Sequence, residues 1–137
     1  MTSYISTSLR QLINDRAGGK CEYCLIHQDF SIYSHEVDHA VAVKHGGSST
    51  EENLVLACLS CNRYKGSDLT SIDPITKEIT SLFNPRSYKW SNHFQLKESS
   101  ILGITAIGRT TIFLLKLNEP KRLLIRKTLI SQQLYPS

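Results

Sequence analysis

Two Cys-x-x-Cys pairs, Cys21 with Cys24 and Cys58 with Cys61, stand 33 residues apart in a chain of 137. Four soft donors in two short turns suit one tetrahedral zinc ion, Zn2+, and completing that shell forces the ends of the insert to meet. The gap exceeds that of the commonest zinc ribbons, so the insert must fold as a unit of its own. In a reducing compartment such paired turns serve more often as metal ligands than as disulfides. A redox dithiol or buried free thiols is the alternative.

The length suggests one compact domain, read as a core over residues 1–67 and an extension over 68–137 packed on it. A metal staple helps so small a core. The start, MTSYISTSLR, lacks the basic and apolar regions of a secretory leader. No apolar run approaches the ~18 residues of a membrane span. The expectation is a cytoplasmic protein with no membrane partner. A net charge of +4 permits nucleic-acid binding without establishing it.

Along the chain, Ile5, Leu9, Leu12 and Ile13 fall on one helical face, stopped by Gly18 and Gly19. Residues 30–43 are rich in Val, Ile and Tyr and read as one or two strands. Thr50, Glu51 and Glu52 look like a helix start, and a helix is expected over 51–64, broken near the second knuckle. Beyond Gly66, Asp73-Pro74 and Asn84-Pro85 are turns. Strands are expected over 75–83, 88–96 and 101–104, and helices over 106–117 and 120–134, with Pro120 in a first turn. The fold class is therefore α+β.

The insert holds a chemical set. Phosphodiester hydrolysis needs an activated water, and charge stabilisation on the phosphoryl and leaving oxygens. An imidazole titrating near ~6.5 can take a proton from water at neutral pH. His39 is the candidate base, and Asp38 and Asn62 offer oxygens to a hard cation. Neighbours on a regular strand face opposite ways. Asp38 and His39 therefore require a bulge or an early strand end if both are to serve one site. Alone, the pair reads equally as a surface acid beside a half-buried histidine.

Taken together, CEYC, VDH, GG, NL and CLSCNRYKG resemble the HNH endonuclease family in its four-cysteine, zinc-stapled form. The resemblance covers residues 20–66, roughly a third of the chain. It implies a ββα-metal, treble-clef-like core with an N-terminal helix and a C-terminal strand and two-helix extension. It implies Asp38 as metal ligand, His39 as general base, Asn53 as the brace of the loop carrying the base, and Asn62 as second metal ligand. Two departures stand out. Ala42 replaces a usual proline three residues after the histidine, and Gly66 stands where many relatives place another metal-binding histidine. Two protein oxygens then suit Mg2+ or Mn2+ better than a second zinc.

Lys44, Arg63 and Lys65 are candidate phosphate contacts, which position nucleic acid without reading its bases. Plain surface charge is the alternative for Arg63 and Lys65. His35 shares a strand face with His39 and reads as a solvated side chain or as an orienting partner. The segment LFNPRSYKWSNHF with GITAIGRTT resembles the tail of small bacterial HNH proteins. In it, Trp90 and Phe94 read as core, while Arg86 and Arg109 either hold DNA or satisfy helix ends.

The expected protein is a DNA endonuclease with one site per chain, so that a double-strand break takes a homodimer or two visits. The competing expectation is a non-catalytic zinc module that binds nucleic acid or protein, or a structural subunit of a larger defence or mobile-element complex.

Overall fold

A computed structural model describes residues 4–136. The first three residues of the MTSYISTSLR reading lie outside them. Helix α1 spans Thr7–Ala17; the Ser6 hydroxyl accepts from the Leu9 N–H and Gly18, at φ 63°, closes it. Ile5 precedes the helix instead of belonging to it. It is nonetheless buried and packs with Ile13, Leu54 and Leu56, whereas Leu12 is exposed.

The insert between the knuckles is built around a strand pair, and of the residues 30–43 read as strand only 36–39 form one. Strand β1 (Glu36–His39) runs antiparallel to β2 (Leu54–Ala57), with Asp38 opposite Val55 and His39 opposite Leu54. The helix expected over 51–64 is thus corrected: residues 51–53 are a turn and 54–57 a strand, and helix α2 is confined to Leu59–Lys65. The physical reason is burial on both faces. Leu54 and Leu56 pack towards α1, while Val55 and Ala57 enter the cluster that holds the cysteines. A strand buried on both sides loses its alternating pattern and cannot be told from a helix by periodicity.

After α2 come two hairpins and two helices. Strands β3 (Thr70–Ile72) and β4 (Ile79–Ser81) form the first hairpin, and β5 (Phe94–Lys97) and β6 (Ser100–Gly103) the second. Helix α3 is Ala106–Leu115 and α4 is Pro120–Ser131. The strands expected over 75–83 and 88–96 shrink accordingly, because Ile75 lies in the turn of the first hairpin and Trp90–Asn92 form a short 3-10 turn. Gly108 lets α3 sit against the second hairpin; a Cβ there would lie 2.1 Å from the His93 carbonyl oxygen.

One apolar cluster spans the two parts of the chain. It joins all four cysteines, Tyr23, Val55 and Ala57 to Phe83, Phe94, Ile101, Leu115 and Leu117. Trp90 packs against Phe94 with ring centres 5.0 Å apart and donates to the Tyr23 carbonyl at 2.9 Å. Phe94 is core, and Trp90 is half-buried and packs against it. Neither arginine singled out in this segment caps a helix end: Arg86 pairs with Glu22, and Arg109 pairs with Asp73.

Asp73 anchors the turn of the first hairpin. It accepts from the Ile75 N–H at 3.0 Å and the Thr76 hydroxyl at 3.1 Å, and Arg109 donates twice, at 3.2 and 2.8 Å. The carboxylate makes no contact with water yet lies close to the surface. Arg109 above all, then the turn donors, hold its pKa down at about 2. A depressed carboxylate contributes its full stability above the unfolded value of ~3.9 and loses it as pH falls from there through the folded one. Asp73→Asn should therefore melt below the wild type at pH 7, and that gap should close between pH ~4 and ~2. Thermal melts of both proteins across this range test it; a gap independent of pH would contradict it.

Candidate active site and zinc centre

The four cysteines are buried, free of disulfides, and have their sulfurs within 4.8 Å of one another. A tetrahedron with ~2.3 Å Zn–S bonds has sulfurs ~3.8 Å apart. The Cys24 and Cys58 sulfurs are 3.8 Å apart. Each knuckle also directs a backbone N–H at its first sulfur: Cys24 N to Cys21 Sγ at 3.5 Å and Cys61 N to Cys58 Sγ at 3.4 Å. Donor chemistry and spacing both fit a structural zinc. The same cluster is the one group of three or more His, Cys, Asp or Glu donor atoms among the described residues.

Residues from the later part of the chain close over this centre. Arg122 of α4 is buried and directs Nη2 at Cys61 Sγ, 2.9 Å away, while Nη1 donates to the Leu115 carbonyl at 2.8 Å. Burial disfavours its charge, but the surrounding sulfurs outweigh that and hold it firmly protonated. The Tyr135 hydroxyl donates to the Cys24 carbonyl at 2.7 Å. Arg122 was not among the residues singled out in the sequence, where nothing separates it from other helix-surface arginines.

On the other flank of the insert, β1 stops at His39 and the chain bends at Ala40. Asp38 and His39 pair in regular register with Val55 and Leu54, so the chain turns after the pair and not within it, and no bulge separates the two residues. The Asp38 Oδ2 atom is buried and has no hydrogen-bond partner. Burial pushes this carboxyl up, opposed by the nearby Lys65 ammonium and by the His39 N–H. The His39 Nε2 atom lies 2.9 Å from the Ser49 hydroxyl. Ser49 carried no signal in the sequence.

Asn53 binds the loop that follows His39. Its Oδ1 accepts from the Val41 N–H, and its Nδ2 donates to the Val41 and Ser48 carbonyls, all at 2.9 Å. Gly47 makes that closeness feasible, since a Cβ there would lie 1.7 Å from the Val41 oxygen and 2.8 Å from Asn53 Nδ2.

Asn62, on α2, donates through Nδ2 to Glu36 Oε2 at 2.7 Å. Glu36 and Asp38 are two apart on β1 and so share a face. Lys65, one turn along α2, is buried and reaches towards the His39 carbonyl at 3.5 Å. It is not a solvated surface charge: burial lowers its pKa, and Asp38 opposes that shift. Lys44 and Arg63 are exposed.

Two histidines take other places. His35 is buried and precedes β1, with Nε2 2.8 Å from the Ile26 carbonyl; the reading of a solvated side chain is corrected. A carbonyl can only accept, so Nε2 carries the proton there. The His93 Nδ1 atom lies 2.6 Å from the Thr105 hydroxyl.

A relative called Septu protein PtuB, from Bacillus thuringiensis, is 29% identical over 134 residues, covering 93% of this chain and 46% of the relative. The chain thus spans about half the length of that curated protein. No solved structure matches. No helix among the described residues is long and apolar enough to cross a membrane. The family model of the HNH endonuclease matches residues 21–68, the segment from the first knuckle to three residues past α2. Residues 21–68 of this chain are therefore an HNH endonuclease domain, with a four-cysteine cluster that fits a structural zinc.

Proposed function

We propose that this chain is a metal-dependent endonuclease that hydrolyses DNA phosphodiesters at the face formed by β1, the loop after it and α2. The observation that carries the reading is the buried, unpartnered Asp38 Oδ2 beside His39. An orphaned carboxylate oxygen is costly to bury unless a cation or donor completes it. Asp38 and Asn62 supply hard oxygen donors that fit Mg2+ or Mn2+. Such a cation, when bound, offsets charge on the phosphoryl and leaving oxygens.

The chain's own groups supply the rest. With Ser49 accepting from His39 Nε2–H, the Nδ1 atom is left unprotonated and takes the proton of the attacking water. Asn53 holds the loop that follows His39, limiting the freedom of the base. The Lys65 ammonium offsets part of the negative charge around Asp38, and Lys44 and Arg63 contact flanking phosphates from the surface. In-line attack leaves 5′-phosphate and 3′-hydroxyl ends. The zinc centre holds the fold and takes no part in hydrolysis. On this reading, residues 68–137 support the domain from behind, as one unit with it. Two copies, or a larger assembly such as a defence or mobile-element complex, bring two sites to a duplex.

Purified protein should convert supercoiled plasmid to nicked circles with Mg2+ or Mn2+, and EDTA should stop it. No cleavage of DNA or RNA in either metal, by protein that retains zinc, would favour the non-catalytic binding module instead.

A further inference from the structure

The contact between Glu36 and Asn62 has a consequence for the cation site. A primary amide carries donors at one corner and an acceptor at the other, and a carboxylate can only accept. Glu36 Oε2, 2.7 Å from Asn62 Nδ2, therefore selects the NH2 end of the amide. Two facing oxygens would repel. The Asn62 Oδ1 atom is turned away from Glu36 and has no hydrogen bond among the described residues. A half-buried asparagine without such a partner would populate both flips and present nitrogen as readily as oxygen.

We propose that Glu36 is a positioning residue for the cation site, fixing the flip of Asn62 so that Oδ1 is offered to the cation. The inference rests on the reading of Asn62 as a cation ligand. Glu36 reaches it because β1 places the residue two before Asp38 on the same face, opposite α2. Groups that hold a ligand's far side in this way typically affect metal affinity 10- to 100-fold.

The test is Mn2+ binding, measured by electron paramagnetic resonance of the free ion, on zinc-loaded wild-type, Glu36→Ala, Glu36→Gln, Asn62→Ala and the double Ala variant. Zinc content and melting temperature serve as controls. Glu36→Ala should weaken Mn2+ binding by about 10-fold. Glu36→Gln should restore it, because the glutamine carbonyl accepts the same hydrogen bond. In the Asn62→Ala background, removing Glu36 should change nothing further.

Three results overturn the proposal, each differently. If Asn62→Ala weakens binding but Glu36→Ala does not, Glu36 has no positioning role and the site reading survives. If Glu36→Gln is as damaging as Glu36→Ala, the carboxylate acts by charge or direct ligation. If the wild type binds no Mn2+, or Asn62→Ala binds it unchanged, the reading of Asn62 fails and takes the inference with it.

Discussion

His39→Ala is expected to lower the rate of DNA cleavage by roughly 10²- to 10⁴-fold, the usual contribution of a positioned general base. Zinc content, melting temperature and Mn2+ affinity should stay near wild-type values. The separation follows from where the residue sits. His39 is the last residue of β1, half-buried, and its side chain is bonded to Ser49 and not to any cysteine or to the cluster beneath. Truncating it removes one polar contact at the edge of the fold. The backbone of His39 keeps its pairing with Leu54 whatever the side chain is. Cleavage of a supercoiled plasmid by matched, zinc-loaded preparations measures the effect. Undiminished cleavage by the variant would remove His39 from the chemistry, and joint loss of zinc and activity would show it to be structural.

Much of this candidate site is legible because its residues lie within one short insert. The knuckles fix the ends of the insert, and the Asp38–His39 pair, Asn53 and Asn62 occupy marked positions between them. Alternation alone raises the demand for a bulge or early strand end at the Asp38–His39 pair, and β1 instead keeps its register through His39 before it ends. Leu54–Ala57 was misread because a strand buried on both faces has no polar side to reveal its period. The Glu36–Asn62 bond joins residues 26 apart in sequence, and the link of Arg122 to Cys61 spans 61. Such long-range pairs have no local signature. Glu36 alone left a trace, two residues before Asp38 and so on the same strand face. Lys65 reads from the sequence as a phosphate contact or a surface charge, and its burial is not legible because one turn of helix does not show what will cover it.

Arg122→Met is expected to destabilise the protein by ~3–5 kcal/mol, the range for leaving buried charge without its partner. It should also speed the transfer of zinc to a chromophoric chelator. Four thiolates around one divalent ion carry a net negative charge, and the four cysteines lie in an apolar cluster. The Arg122 guanidinium, 2.9 Å from Cys61 Sγ, is the cation in direct contact with it. Methionine preserves much of the volume and none of the charge, so a packing defect alone should cost far less. The same side chain satisfies the Leu115 and Lys116 carbonyls at the end of α3, so its loss also loosens the junction of α3 with α4. The coupling runs in both directions. Once zinc is stripped and the thiols take up protons, a buried guanidinium faces neutral sulfur, and α4 loses its main electrostatic reason to stay docked. Chelation should accordingly make residues 119–136 exchange amide hydrogens sooner than β1 and β2. Urea denaturation, zinc-transfer rates and hydrogen exchange read these effects separately. Wild-type stability and zinc retention in Arg122→Met would mean that the cluster needs no counter-charge, and that α4 is held by apolar packing alone.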